Sequence, residues 1–185
     1  MPSSHPMRVP PLPEEEWSED QRDLIVNGPG RGGISHVSRT LIRNPEIRRA
    51  LMNWGNQVRD SRLPARDREL MILRTAWNTN SEYEWGQHAE IARTVGLGDA
   101  EIRDVAVGPD AGSWSVDDAV LLRAADELHH ESTLGDSTWA ALCARYDEQQ
   151  VIEVTALVGS YHLLAFAVNS LGVQLEPGKS GFPTL

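Results

Sequence analysis
The sequence predicts a single all-α domain, a multi-helix bundle, on three observations. Apolar residues recur at helical spacing from Pro45 to Leu171, and many of these segments open on Ser, Asp or Asn. Several of them close on Gly. No run alternates apolar and polar residues as a strand does, and no fixed-period repeat is present.

The elements follow in chain order. Residues 1–13, with five prolines, read as an extended arm, disordered or hugging the surface. The bundle is expected over 14–172 and an extended tail over 173–185. Glu14 to Val26 reads as a first helix with an acidic first turn. Asn27–Gly33 is a glycine-rich connector without the Lys-Ser/Thr ending of a phosphate loop, and Arg31 within it is a weak candidate for holding an anion.

Helices are then expected over Pro45–Asp60, after the cap Asn44, and over Leu63–Asn78. Others are Ser81–Val95, stopped by Gly96, and Asp99–Val107, stopped by Gly108-Pro109. Ser115 caps a helix to Glu131 that carries Val116, Val120, Ala124 and Leu128 on one face. Asp136 caps the next, where Trp139, Leu142, Cys143 and Tyr146 share a face, so Cys143 reads as a core residue. The last, Glu148 to Leu171, is apolar nearly all round in its second half, as in a helix buried centrally or by a partner subunit.

Composition narrows the function. A net charge of −10 with scattered Lys and Arg argues against a nucleic-acid or anionic-membrane surface. One cysteine, Cys143, permits no internal disulfide, and the residues before Pro13 have no signal-peptide pattern, so a cytoplasmic location is expected. The apolar run Val154 to Val168 is too short to span a bilayer.

The chemistry-bearing residues cluster in Ser81–His88. Glu84 and His88 are four apart and share a helix face, and His88 aligns with Ile91, Ala92 and Val95, toward the core. A histidine against apolar walls beside a carboxylate is an acid–base group. Two readings of Glu84 stand: partner of His88, or the far end of a capping box begun by Ser81. Likewise Glu69 either faces His88 across a helix hairpin or lies on the surface beside Arg66 or Arg68. Trp77, Tyr83 and Trp85 fit a pocket with aromatic walls or an ordinary core. Thr155, His162 and Asn169 form a polar stripe on the last helix, either a hydrogen-bond network or a pocket lining. Glu127-x-x-His130 is half of a di-iron signature and reads as a helix end.

Leu63–Trp77 (LPARDRELMILRTAW), then Tyr83-Glu84-Trp85 with His88, then Ala92 and Gly96-Leu97, resemble the carboxymuconolactone decarboxylase family. Its superfamily includes the alkylhydroperoxidase D-like enzymes. The resemblance is clear from Pro45 to Val107 and looser beyond. It implies an alkylhydroperoxidase D-like all-helical fold, homo-oligomers (dimer, trimer or hexamer), and a small-molecule pocket at this helix pair. In the peroxidase branch a glutamate, two thiols in Cys-x-x-Cys, a relay histidine and a final histidine do the work. Here they fall at Glu69, Ser81 and Glu84, Tyr83, and His88. With both thiols missing, dithiol turnover is chemically impossible at this site. The decarboxylase branch, with a glutamate four residues before its histidine, fits Glu84 and His88.

The expectation is therefore a cofactor-independent, metal-free lyase or isomerase acting on a small carbonyl, lactone or carboxylic acid compound. His88, Glu69, Glu84 and Tyr83 are its candidate catalytic residues; Trp85, Ser81, Trp77 and His162 are candidates for binding substrate. Arg31 or Arg74 is the candidate grip for a carboxylate. The alternative is a non-catalytic binding or assembly protein on the same scaffold.

Overall fold
The computed structural model describes residues 6–28, 34–112 and 114–184. Arg31 and most of the glycine-rich connector lie outside them. Among the described residues there is no strand. A 3-10 turn at Glu14–Glu16 precedes helices α1 (Glu19–Val26), α2 (His36–Leu41), α3 (Pro45–Arg59), α4 (Ala65–Asn78) and α5 (Glu82–Thr94). Then come α6 (Asp99–Val107), α7 (Val116–Glu131), α8 (Asp136–Arg145) and α9 (Glu148–Leu171).

Helix α4 is the axis of the fold. It packs against α5, α6, α7 and α9, and Leu70, Met71, Ile72, Leu73 and Ala76 are buried all round it. Arg74, on this helix, is locked in place. It forms a forked pair with Asp126 (Nε to Oδ1 2.6 Å, Nη2 to Oδ2 3.0 Å) and donates to the carbonyls of Val105 and Ala106. That ties α4 to α6 and α7, so Arg74 is not available to grip a substrate, contrary to the sequence expectation.

The link 79–81 turns the chain back sharply, with Asn80 in the left-handed region at φ 53°. Ser81 N–H donates to Ala76 O across this turn. Helix α5 therefore runs back along α4, which brings His88 against Glu69.

Several expectations need correction. Ser18 interrupts the predicted first helix, because its hydroxyl and Gln21 form a capping box that starts α1 afresh. Helix α2, capped by the Ser35 hydroxyl, was not among the expected helices. On α7 the buried side is Leu121, Leu122, Ala124 and Ala125, and Val116 is exposed. On α8 the buried line is Thr138 and Leu142, continued by Tyr146. Trp139 and Cys143 sit about 100° round the helix from it and are exposed, so Cys143 is not a core residue.

Helix α9 is longer than its apolar run, and by length and composition it is apolar enough to cross a bilayer. Its packing is that of a core helix against α3, α4, α7 and α8, with Val151, Val154, Leu157, Val158, Ala165 and Val168 buried. Its opposite side leaves Ile152, Leu163 and Phe166 exposed.

Both ends of the chain are tied down. In the arm, Leu12 is buried with Trp17, and the N–H groups of Arg8 and Val9 donate to Leu171 O. The tail crosses the outer side of α5, where Phe182 packs edge-on against Trp77 and close to Trp85. Gly86 permits this approach: a Cβ there would lie 2.5 Å from Leu175 Cδ2.

Candidate active site
Helices α4, α5 and α9 bring four side chains together. Glu69 Oε2 lies 2.7 Å from His88 Nδ1, and Tyr161 Oη lies 3.1 Å from His88 Nε2. Glu84 Oε2 stands 3.8 Å from the same Nε2. The Tyr161 ring meets the imidazole edge-on at 5.0 Å between centroids. Glu69 and Glu84 are both buried, and His88 is nearly so.

The hydrogen-bond pattern assigns the tautomer. An ionised Glu69 only accepts, so His88 Nδ1 carries a hydrogen and donates to it. In neutral His88, Nε2 then accepts from the Tyr161 hydroxyl. A carboxylate behind one ring nitrogen orients the ring and stabilises the imidazolium when Nε2 takes a proton.

Burial and charge oppose each other here. Burial alone lowers the His88 pKa, but the Glu69 carboxylate, its hydrogen bond and Glu84 together outweigh it, and the net shift is upward. Burial pushes Glu84 up to about 7, His88 partly offsets this, and Glu176 on the tail adds to it. Burial, reinforced by Glu84 and Glu69, holds Tyr161 well above the usual tyrosine range. The site thus sets a histidine whose pKa is raised beside a carboxyl group that titrates at about 7, groups suited to acid–base chemistry.

A cavity of about 300 Å³ opens onto Glu69 and His88. Ile72, Ile91, Leu157 and Tyr161 form its walls, and Arg59 and Arg68 bring positive charge to it beside the carboxylate-bearing Asp60 and Glu69. Arg68 also donates to Leu63 O at 2.8 Å. Among the described residues, no group of three or more His, Cys, Asp or Glu side chains is placed to hold a metal ion.

Of the two readings of Glu69, the one facing His88 is found and the surface one is not: Arg66 pairs with Glu101 and Asp118 instead. The capping-box reading of Ser81 and Glu84 also fails. Ser81 has ψ 84°, against about 160° at the working serine caps Ser18 and Ser115, and makes no side-chain cap bond. Its hydroxyl is buried without a partner, and Glu84 points inward beside His88.

Other expected site residues stand elsewhere. Tyr83 lies one position, about 100°, before Glu84, so it faces the tail and donates to Glu176 Oε1 at 2.9 Å. Trp77 and Trp85 pack on each other and on Phe182, and Trp85 lines a separate cavity under the tail. Neither lines the cavity at His88. His162 pairs with His129, Nε2 to Nδ1 at 2.9 Å, and its neighbour Tyr161 is the one that reaches His88. The polar stripe on α9 is not one network: Thr155 bonds Ile152 O, and Asn169 bonds Thr79 O. Glu127 holds Gly135 N–H and the Thr138 hydroxyl, fastening the start of α8.

Sequence reasoning missed Tyr161, Arg59 and Arg68. Tyr161 carried one signal, an aromatic hydroxyl on an otherwise apolar helix. The arginines looked like any surface cations.

The fold recurs among solved structures. A peroxidase-related protein from Ralstonia eutropha with an alkylhydroperoxidase AhpD core superposes with a TM-score of 0.79, at 20% identity over 94% of each chain. The debrominase Bmp8, in complex with 2,3,4-tribromopyrrole, gives 0.71 at 15% identity over 94% of each chain. A peroxidase-related protein from Silicibacter gives 0.72 at 13% identity, over 95% of this chain and 93% of that one. At these identities the likeness is one of fold. No curated protein matches the sequence. A sequence profile does: residues 45–127, the span that contains Glu69, Glu84 and His88, match the model of the carboxymuconolactone decarboxylase family.

Proposed function
We propose that the protein is a cofactor-independent acid–base enzyme, a lyase or isomerase acting on a small carbonyl or lactone compound that carries a carboxylate. The observation that supports it is the line Glu69–His88–Tyr161 at the wall of a cavity to which Arg59 and Arg68 lend positive charge. In a decarboxylation, the bond to the departing carboxylate breaks and its electron pair moves into the substrate's own carbonyl, forming an enolate. Protonated His88, which lines the cavity, returns a proton to carbon. The substrate's carbonyl is the electron sink, so the step calls for no added cofactor. In an isomerisation, neutral His88 first removes the proton that it later returns, and Glu69 steadies the imidazolium between the two steps.

A second reading has its own observation. Both ring nitrogens of His88 already have partners within the protein. A substrate must displace Tyr161 or use its hydroxyl as a relay. If neither happens, the cavity binds a small acid without converting it. Incubation of the protein with small lactone acids and keto acids in D₂O separates the readings. Loss of CO₂ or uptake of deuterium at carbon, seen by NMR, supports the enzyme; saturable binding without either supports the binding protein.

The exposed Ile152, Leu163 and Phe166 on α9 support self-association through that helix. A cytoplasmic location fits the single cysteine.

A further inference from the structure
The tail makes its firmest attachment through one carboxylate. Glu176 Oε1 accepts from the Tyr83 hydroxyl at 2.9 Å and from the His36 backbone N–H at 2.8 Å. Glu176 Oε2 accepts from the Gln87 side chain. His36 Nδ1 also meets Gln174 O at 2.8 Å, and Lys179 pairs with Glu90. The approach is close at two glycines. A Cβ at Gly86 would strike Leu175, and one at Gly181 would lie 1.9 Å from Glu82 Oε1. Tyr83 and Gln87 form the stripe of α5 next to Glu84 and His88. Under this cover Ser81 is 0% exposed and Glu84 3%.

From this geometry we infer that Glu176 is a positioning residue for the Glu84–His88 pair: it clamps α5 through Tyr83 and Gln87 and sets a fixed negative charge behind Glu84. The inference rests on the acid–base reading of His88. Glu84 is influenced by His88 on its own helix and by Glu176 on the tail. It also faces Tyr161 on α9, and Glu69 on α4 lies just beyond His88. Burial alone raises the Glu176 pKa, but the His36 N–H and the Tyr83 hydroxyl outweigh it, so the group stays ionised at neutral pH. Its charge opposes a second negative charge at Glu84, which keeps the proton on the pair. Glu84 is then about half protonated at pH 7.

The test is a carbon-13 NMR titration of the Glu84 carboxyl, assigned with Glu84→Gln, on the full chain. In Glu176→Gln the amide oxygen still accepts from Tyr83 and His36, and Gln87 can turn its own amide to accept from the new NH2, so the tail stays seated while the charge is lost. The Glu84 midpoint should fall, leaving that group more ionised at pH 7. An unchanged or higher midpoint in a folded Glu176→Gln overturns the inference. Tyr83→Phe removes one bond to the clamp and keeps its charge, so the midpoint should hold. A fall there would show that seating alone matters, and would overturn the charge role even if Glu176→Gln fails to fold. The titration needs no substrate, so its failure is distinct from failure of the acid–base reading, which shows in turnover.

Discussion
Glu69 Oε2 and His88 Nδ1 lie 2.7 Å apart, although 19 residues separate them in the chain. The hairpin of α4 and α5 delivers that contact, and the carboxylate is the main reason that burial does not leave His88 neutral throughout. Replacing Glu69 by Gln removes the charge and keeps the shape. The His88 midpoint should fall, as read from imidazole proton and nitrogen-15 shifts. An unchanged midpoint would mean that the two groups do not meet in solution.

Glu84 controls how stability depends on pH. Its folded pKa, about 7, lies above the 4.5 of a free glutamate, so the folded state holds its proton more tightly than the unfolded chain does. Stability therefore falls as pH rises between these values. His88 acts in the same direction above 6.5, because its folded pKa is also raised. Glu84→Gln removes the first contribution. Its Tm should exceed that of the native chain above pH 7 and lose this advantage below about pH 4.5. A native Tm that climbs steadily from pH 5 to 8 would contradict the burial of an unpaired proton at Glu84.

Tyr161 and stability should separate from Tyr161 and turnover. Tyr161→Phe loses one buried hydrogen bond, a cost of about 1 kcal/mol in urea unfolding. If the hydroxyl relays protons to Nε2, kcat should drop at least about tenfold, beyond anything so small a stability change explains. Equal turnover in the two proteins would leave Tyr161 as a wall of the cavity only.

The arginines should divide in the opposite sense. Arg74→Ala leaves Asp126 with only its bond from Asn78 and leaves two carbonyls without this donor, and should cost roughly 3 kcal/mol of stability. Arg59→Ala, at an exposed helix end, should leave unfolding unchanged and raise KM for an anionic substrate severalfold. Urea titrations and steady-state kinetics on both variants check the pair.

Helix α9 provides a test of assembly. Phe166 is 64% exposed, with Leu163 near it on the same apolar helix. Phe166→Asp should reduce the mass seen by light scattering if α9 meets a second copy. An unchanged mass would place any interface elsewhere.

Much of this was legible in the sequence because local signals decide it. The bounds Glu148–Leu171 of α9, closed by Gly172, came out as expected, and so did the start of α3 at Asn44 and Pro45. His88 and Glu69 both pointed inward by helical phase. What failed depended on tertiary placement. Ser81-x-x-Glu84 has the spacing of a capping box, but the tight 79–81 turn sets the wrong ψ at Ser81 and turns Glu84 to the core. Tyr83 was one step off phase, and Tyr161 rather than His162 faced the site, since a 100° difference on a buried helix leaves little trace in composition. The tail read as extended, but no local pattern told that Glu176 and Phe182 would dock on α5.

The decisive measurement is kcat of His88→Gln on whichever lactone acid or keto acid the native protein converts. Gln keeps a polar side chain beside Glu69 and cannot carry a proton between steps. If His88 is the proton carrier, kcat should fall by about 10²-fold or more while the fold and anion binding persist. A folded His88→Gln protein with native kcat would contradict the assignment.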